Sequence, residues 1–336
     1  MKTVRIFLIA LLCLSFTITE AQSTGKKYRL KVGLVLGGGG AKGAAEVGVL
    51  KYIEQSGIPI DYIAGTSIGS IIGGLYACGY RSADLDSMFR SQKWATLLGD
   101  KDDDLKETVL KKKNGVVYMF GFPVGRKGSA LADSSVGAIR GDKIIHLLDS
   151  MTHRHDSISF DNLPIPFRCV ATDYKNHKEM VLASGWLSRS MRASMAIPGV
   201  FKAVEIGSTE LLDGGLTNNL PVDVVRAMGA DVVIAVDLTQ NKHERKKQKK
   251  APKFLRNTKS KVGQLARWII TRPDLEKYEQ NREDADVYIN PPLKGYGAGS
   301  FSNKSIREMI EIGYEAGKGA LDQLLALKEK VMAGNE

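Results

Sequence analysis

The sequence has little cysteine, few histidines and no apolar run long enough to cross a membrane. Three cysteines in 336 residues exclude a small scaffold stapled by disulfides. The most apolar stretch, Ile6–Phe16, is about 11 residues long, whereas a membrane-spanning helix needs about 20. With 43% hydrophobic and 25% charged residues, the chain is neither a disordered tail nor a fibre nor a polytopic membrane protein. We therefore expect a globular protein with a large core.

Residues 1–21 have the pattern of a secretory signal peptide. Lys2 and Arg5 form a basic start, Ile6–Phe16 is the apolar region, and the small residue Ala21 stands before Gln22. The pattern predicts export, with a mature protein that is periplasmic, associated with the outer membrane, or secreted.

A strand, a glycine turn and a helix follow one another twice within the first 80 residues. Residues 29–36 have the composition of a buried strand and lead into Gly37–Gly40, after which 44–55 has a helical pattern. Residues 62–64 form a second short strand before another glycine turn and helix. Because such alternation is typical of parallel sheets covered by helices, we expect an α/β fold.

The rest of the chain continues this pattern with interruptions. Residues 81–160 are less regular and are candidates for a cap or a substrate-entry wall; they include an acidic loop at 100–104 and a hairpin pattern at 107–128. Further elements are predicted at 84–91, 142–151, 167–171, 179–183, 187–195, 210–213, 222–228, 231–236 and 286–289. A helical stripe from Ile306 to Leu324 predicts one long C-terminal helix. With no repeat and no linker, we expect one domain: a core at 30–240, completed by the strand and helix of 262–336.

The net charge of +11 is concentrated in one segment. Residues 242–261 contain ten Lys or Arg and one Glu, and they read as a solvated insertion. Because residues 1–21 carry a further +1, the remainder of the chain is nearly neutral. We therefore expect no nucleic-acid partner, and the charge leaves two alternatives for this basic segment: a solvated loop or a contact with an anionic membrane surface.

The sequence Gly65-Thr66-Ser67-Ile68-Gly69 has the G-x-S-x-G pattern of a nucleophile elbow. In such an elbow a sharp strand-to-helix turn exposes the serine hydroxyl and directs the helix N-terminus toward a developing oxyanion. An apolar strand before the pattern and an amphipathic helix after it favour Ser67 as a nucleophile over a plain glycine turn.

The first glycine turn, Gly38–Gly43, allows two interpretations. It matches the G-x-G-x-x-G fingerprint of dinucleotide-binding proteins, which also require an acidic residue at the end of the next strand. Asp61 has about the right spacing but precedes that strand. Alternatively, the glycine amides form an oxyanion hole beside Ser67, and Lys42 fixes the loop, attracts a phosphate or is merely solvated. A P-loop is excluded because no G-K-[ST] follows the glycines.

A serine nucleophile needs a proton acceptor, and none of the histidines is well placed for this role. None follows a strand in a glycine-flanked turn; they are His146, His153, His155, His177 and His243. Asp213 follows the strand pattern at 210–212 and precedes Gly214 and Gly215. Such a carboxylate is either a proton acceptor whose pKa is raised by partial burial or an ordinary Asp-Gly turn. Outside the signal, Cys78 and Cys169 are expected to be small buried side chains, with a disulfide as the alternative.

Taken in order, these motifs resemble the patatin-like phospholipases. The likeness runs from about Leu30 to Asp237 and includes 192–201 and 218–222, whereas 98–130 and 242–261 depart from the family pattern. The resemblance implies a three-layer α/β/α sandwich with a mainly parallel sheet. It also implies roles for the motif residues: Ser67 as nucleophile, Asp213 as proton acceptor, Gly38, Gly39 and Gly40 as oxyanion hole, and Lys42, Gly43, Gly65, Gly69, Gly214 and Gly215 as supports.

The activity implied by the resemblance is hydrolysis of phospholipid or lysophospholipid esters through an acyl-enzyme, without a metal or other cofactor. Two other functions remain as alternatives: a dinucleotide-dependent enzyme, and a non-catalytic protein of the same fold that binds membrane lipid.

Overall fold

The computed structural model describes residues 28–99, 111–113, 116–118, 139–152, 157–240, 267–268 and 274–334. In chain order, its strands and helices are β1 Val32–Leu36, α1 Ala44–Ser56, β2 Tyr62–Thr66, α2 Ile68–Ala77, α3 Ser82–Ser91, α4 Trp94–Leu97, β3 Lys111–Lys113, β4 Val116–Tyr118, α5 Asp142–Met151, β5 Ile158–Ser159, β6 Phe167–Asp173, β7 Lys178–Leu182, β8 Ser184–Gly185, α6 Leu187–Ser194, β9 Val204–Ile206, β10 Thr209–Asp213, α7 Val222–Ala227, β11 Val232–Val236, α8 Leu275–Glu283, β12 Val287–Ile289, α9 Asn303–Gly319 and α10 Leu321–Ala333.

The central sheet has the order β12-β11-β1-β2-β6-β10-β9, with β7 also paired to β6. The five strands from β12 to β6 are parallel, whereas β7, β9 and β10 pair antiparallel. Because every residue of β1 and β11 is buried, these strands show continuous apolar runs, as expected where both faces of a parallel sheet are covered. The predicted α/β class and the mainly parallel sheet are confirmed.

Alternate residues of the central strands contribute to two separate cores. Leu34 and Leu36 belong to the larger core, which α1, α2, α3, α6, α9 and α10 cover. Val35 and Ala64 point to the opposite face and join a smaller core built with α7 and Tyr278 of α8. Since successive side chains of a strand alternate between its faces, this division gives the three layers of an α/β/α sandwich.

Helix α1 carries the first glycine turn at its N-terminus and is locked against α9. A Cβ on Gly48 would lie 2.1 Å from the Ile310 carbonyl oxygen, and a Cβ on Gly313 would lie 1.9 Å from the Ala45 carbonyl oxygen. The backbones of α1 and α9 are therefore in direct contact at these glycines, closer than a side chain at either position would allow. This contact fixes the position of α1, and with it the turn that precedes the helix.

The prediction of one long C-terminal helix is wrong, because the helix is interrupted at Ala320. Helix α9 ends at Gly319, which lacks a side chain and weakens helix propagation, and α10 begins at Leu321. Leu324, which belongs to the predicted stripe, and Val331 are buried in the larger core, so the apolar stripe continues from α9 into α10 after the break.

Several predicted segments lie outside the described residues: the signal peptide at 1–21, the acidic loop at 100–104 and the basic segment at 242–261. Within 107–128, β3 and β4 pair antiparallel, as the hairpin pattern predicts. In the described part of the chain, no helix combines the length and the apolar character needed to cross a bilayer.

Candidate active site

Strand β6 brings the ends of β2 and β10 to the same point. β2 runs parallel to β6 and its last residue, Thr66, pairs with Val170. β10 runs antiparallel and its last residue, Asp213, pairs with Ala171, the next residue of β6. Ser67, which directly follows Thr66, therefore meets Asp213 even though 146 residues separate them in sequence.

Ser67 lies in a strained, tight turn in which the neighbouring backbone segments approach one another closely. Its φ of 55° and ψ of −125° put a non-glycine residue at positive φ, a conformation that costs about 1–3 kcal/mol. The flanking glycines permit the turn: a Cβ on Gly65 would lie 2.4 Å from the Gly69 carbonyl oxygen, and one on Gly69 would lie 2.3 Å from the Leu36 carbonyl oxygen. The turn has the geometry of a nucleophile elbow, with Ser67 directly before α2.

The Ser67 hydroxyl donates a hydrogen bond to Asp213, with 2.7 Å between Oγ and Oδ2. The other carboxylate oxygen, Oδ1, accepts the Gly215 amide at 2.7 Å. Burial raises the pKa of Asp213 to about 6, against the lowering effect of these two hydrogen bonds. The carboxyl group is therefore a better proton acceptor than an exposed aspartate and is still mostly ionised at neutral pH.

The glycine turn after β1 lies against this pair. A Cβ on Gly38 would lie 3.2 Å from the Cβ of Ser67, so the backbone approaches the serine closely. The Gly38 amide donates to the Asn219 carbonyl at 3.2 Å. It therefore already has an acceptor, whereas the described residues provide none for the amides of Gly39 and Gly40. Of the three predicted oxyanion donors, only Gly38 thus has an amide that is paired within the described part of the chain.

A segment near the C-terminus also holds the glycine turn. The Ala41 amide donates to the Ala298 carbonyl at 2.9 Å, and Gly40, at φ 59°, packs so closely that a Cβ would lie 2.5 Å from the same oxygen. The Lys42 ammonium lies 3.4 Å from the Leu238 carbonyl. Of the roles considered for Lys42, this contact favours fixing the loop.

A family model described as Patatin-like phospholipase matches residues 34–226. The chain belongs to the patatin-like phospholipase family. The matched range contains the glycine turn, the elbow at Ser67 and the Asp213 turn, which are the motifs on which the family resemblance was based.

Among curated proteins, lysophospholipase nte1 of Aspergillus fumigatus is 31% identical over 314 residues, which cover 87% of this chain and 18% of that protein. Patatin-like phospholipase domain-containing protein 6 of Mus musculus is 37% identical over 209 residues, or 62% of this chain and 13% of that protein. The chain therefore spans less than a fifth of the length of these relatives. Among solved structures, VipD from Legionella pneumophila aligns with a TM-score of 0.43 at 14% identity, covering 88% of this chain and 67% of that one.

The remaining glycines of the patatin-like motifs are sites of close approach. A Cβ on Gly43 would lie 2.3 Å from Ile68, one on Gly214 would lie 2.1 Å from the Val170 carbonyl oxygen, and one on Gly215 would lie 2.6 Å from Asn219. Each therefore supports the packing around Ser67 and Asp213.

The structure adds residues to which the sequence reasoning gave no role. Ser194 accepts the Ser67 amide at 2.8 Å, and Thr172 donates to the Asp213 carbonyl at 2.9 Å. Asn219 contacts the Gly38 peptide through both its backbone and its side chain. Ser194 and Asn219 lie in the two additional stretches that resemble the patatin-like family, and this was the available signal for them.

The alternative assignments find less support in the geometry. Asp61 precedes β2, whereas the glycine turn follows β1, so the two lie at opposite ends of these parallel strands. Asp61 accepts hydrogen bonds there from Arg29 and the Val32 amide, and it cannot bind a dinucleotide at the glycine turn. Of the histidines, the structure describes His146 and His177. Neither bonds to Ser67 or Asp213, and His177 stacks on Trp268.

Two further expectations concern metals and cysteines. Among the described residues, no group of three His, Cys, Asp or Glu side chains is arranged to hold a metal ion. Cys169 is buried, Cys78 is half-buried, and both are free thiols. Burial raises the pKa of Cys78 to about 11 and that of Cys169 to about 12, so both thiols stay protonated at neutral pH.

Proposed function

We propose that the protein is a serine acyl hydrolase that cleaves fatty-acyl esters of phospholipids or lysophospholipids. The observation that carries the proposal is the 2.7 Å hydrogen bond from Ser67 Oγ, on a strained elbow, to the buried carboxylate of Asp213. Membership of the patatin-like family and the lysophospholipase name of a relative support the choice of a lipid ester.

In the acylation step, Asp213 takes the proton of the Ser67 hydroxyl while Oγ forms a bond to the ester carbonyl carbon. The resulting tetrahedral intermediate collapses by breaking the bond to the alcohol oxygen, and the leaving alkoxide receives the proton from Asp213. A carboxyl group with a pKa of about 6 can accept and return a proton near neutral pH.

In the deacylation step, water enters where the alcohol left. Asp213 takes a proton from the water molecule while the water oxygen attacks the acyl carbon. The bond from that carbon to Ser67 Oγ then breaks, and Oγ recovers the proton from Asp213. The product is a free fatty acid, and both side chains return to their starting states.

The oxyanion that forms in each step needs donors close to Ser67. The amides of Gly39 and Gly40 are the candidates, because the Gly38 amide already bonds to Asn219. The N-terminus of the ten-residue helix α2 adds partial positive charge at the same place, since Ser67 is its N-terminal cap.

The test is hydrolysis of lysophospholipid and diacyl phospholipid by the purified protein, with released fatty acid measured by mass spectrometry. Ser67→Ala and Asp213→Ala should each abolish release while circular dichroism stays unchanged. Covalent labelling of the wild type by a fluorophosphonate, and its absence in Ser67→Ala, distinguishes this function from non-catalytic lipid binding. Turnover by Ser67→Ala near the wild-type rate would contradict the proposed nucleophile.

We further propose that the protein is exported and meets its substrate at an anionic membrane surface. The signal pattern of residues 1–21 supports export, and the charge of residues 242–261 supports the surface contact. Fractionation of cells that express the full chain, compared with a form starting at Gln22, tests export: only the full chain should leave the cytoplasm.

A further inference from the structure

The Ser194 hydroxyl lies between the amide of Ser67 and a carbonyl of β6. The Ser67 amide donates to Ser194 Oγ at 2.8 Å, and Ser194 Oγ donates to the Val170 carbonyl at 2.5 Å. Ser194 is fully buried. Because its proton is committed to Val170, the hydroxyl presents a lone pair to Ser67, and it is not available as a nucleophile itself.

Ser67 needs such support because its backbone is held at positive φ. On the carbonyl side, the Ser67 oxygen accepts the amide of Ser70 at 2.9 Å and the hydroxyl of Ser70 at 2.6 Å. On the amide side, Ser194 is the hydrogen-bond partner. The two contacts together fix the peptide units on either side of Ser67, and therefore the direction of its side chain.

The same short segment also holds Asp213. The Asp213 amide donates to the Ala196 carbonyl at 3.0 Å, two residues beyond Ser194. The segment Ser194–Ala196 thus contacts the backbone of both members of the pair at the point where they meet on β6. A shift of this segment would change the distance between Ser67 Oγ and Asp213.

We propose that Ser194 is a positioning residue for acyl transfer, one that holds the Ser67 backbone so that Oγ reaches Asp213. The proposal rests on the proposed function and extends it. Because the Ser67 amide donates its hydrogen to Ser194, it does not bind the oxyanion. Other amides, such as those of Gly39 and Gly40, therefore bind it.

Loss of the hydroxyl should reduce turnover more than substrate binding. Ser194→Ala removes the acceptor of the buried Ser67 amide and a donor to the Val170 carbonyl, and the strained turn can then relax. Since a displacement of about 1 Å can cost about 100-fold in rate, we expect kcat to fall about 10- to 100-fold. Ser194 contacts backbone rather than the cleft, so KM should stay within about twofold.

The matched control is Ser188→Ala. Ser188 is a buried serine of the same helix, α6, and its hydroxyl donates to Asp149 on α5 rather than to the site. Both substitutions remove a buried hydroxyl, so both should lower Tm, but only Ser194→Ala should lower kcat. Ser194→Thr keeps the hydroxyl and should recover at least a third of the wild-type kcat.

The experiment measures kcat and KM on a short p-nitrophenyl ester, with Tm and circular dichroism for every variant. A kcat of Ser194→Ala above half that of wild type, beside an inactive Ser67→Ala, overturns the positioning role and leaves the proposed function intact. An equal loss in Ser188→Ala, or equal losses in folded Ser194→Ala and Ser194→Thr, also overturns it. If Ser194→Ala unfolds, Ser194→Cys replaces it, since sulfur keeps the volume but is a weak acceptor. Absence of Ser67-dependent hydrolysis in the wild type would instead contradict the proposed function.

Discussion

Asn219 forms hydrogen bonds with both backbone polar groups of Gly38, the amide and the carbonyl. Its carbonyl accepts the Gly38 amide at 3.2 Å, and its side-chain Nδ2 donates to the Gly38 carbonyl at 3.3 Å. In a trans peptide the carbonyl of one residue and the amide of the next point in opposite directions. Anchoring the Gly38 carbonyl therefore also sets the direction of the Gly39 amide, one of the candidate oxyanion donors.

The first prediction is that Asn219→Ala lowers kcat about threefold to tenfold. One hydrogen bond contributes about 0.5–1.5 kcal/mol, and its loss frees the Gly38 carbonyl to rotate. Steady-state kinetics on a soluble ester measure the effect. Thr239→Val is the control, because it removes only the contact between Asn219 Nδ2 and Thr239 Oγ1 at 3.4 Å. An equal loss in both variants would mean that the orientation of Asn219, rather than its bond to Gly38, matters.

The second prediction concerns pH. Since Asp213 must be ionised to accept a proton and its pKa is about 6, kcat/KM should rise with pH through about 6 and then level off. The same group affects stability: because its pKa is raised from 3.8, the folded state holds this proton more tightly, and stability falls as pH rises from about 4 to about 6.

Asp213→Asn should therefore be inactive but, above pH 6, more stable than wild type by up to about 3 kcal/mol, at about 1.4 kcal/mol per pKa unit. Urea unfolding at pH 4 and pH 8 measures the difference, which should grow with pH. The control is Asp173→Asn on β6. Burial acts to raise the pKa of Asp173, but hydrogen bonds from Asn176 and Lys175 lower it overall, so this variant should lose stability at pH 8. A less stable Asp213→Asn at pH 8 would contradict the prediction.

The third prediction concerns Glu46, a fully buried residue of α1 beside the glycine turn. Neither of its carboxyl oxygens has a hydrogen-bond partner among the described residues. Burial, together with the charge of Asp237, raises its pKa well above 4.5; the nearby Gly37 amide opposes this only in part, since it donates to the Val236 carbonyl rather than to Glu46. Because the folded state favours the protonated form, stability should fall as pH rises through this raised pKa.

Glu46→Gln removes that ionisation and should be at least about 1 kcal/mol more stable than wild type at alkaline pH, with a flatter profile of Tm against pH. Glu54→Gln is the matched control on the same helix. Its carboxylate accepts hydrogen bonds from the amide and hydroxyl of Ser82, so loss of its charge should destabilise the protein. A Tm profile of Glu46→Gln parallel to that of wild type would argue that Glu46 does not titrate in this range.

The fourth prediction is that residues 242–261 bind anionic membranes. Replacing their ten Lys and Arg by Gln should weaken binding to vesicles containing phosphatidylglycerol, since each basic side chain near such a surface contributes about 1 kcal/mol. Binding to neutral phosphatidylcholine vesicles and turnover of a soluble ester should not change. Co-sedimentation at low and high salt measures the effect, and unchanged binding of the variant at low salt would exclude this role.

The sequence predicts the local units of the site well. An apolar strand, a glycine turn and a helix are short-range patterns, and both copies form where the pattern indicates. The second helix, α2, is not amphipathic as predicted, because all ten of its residues are buried. Ser67 could be singled out because its glycine neighbours serve a local need, the tight turn between β2 and α2.

Short-range sequence patterns do not predict the contacts between these units. Asp213 reaches Ser67 only because β10 pairs antiparallel with β6, and strand pairing over 146 residues depends on the whole sheet. Ser194 is one of several serines on α6, and only packing decides which of them contacts the elbow. The break at Ala320 also depends on packing, since the apolar stripe continues through it.

The contact of Gly40 and Ala41 with Ala298 has a consequence for how the protein can be divided. The family model ends at residue 226, yet the turn that carries the candidate oxyanion donors is fastened by a carbonyl 72 residues later. Helix α1, which follows this glycine turn, packs closely against α9 through Gly48 and Gly313. A fragment cut at the family boundary would keep Ser67 but lose the contacts that hold the glycine turn opposite it. We therefore expect a stable site to require the C-terminal helices.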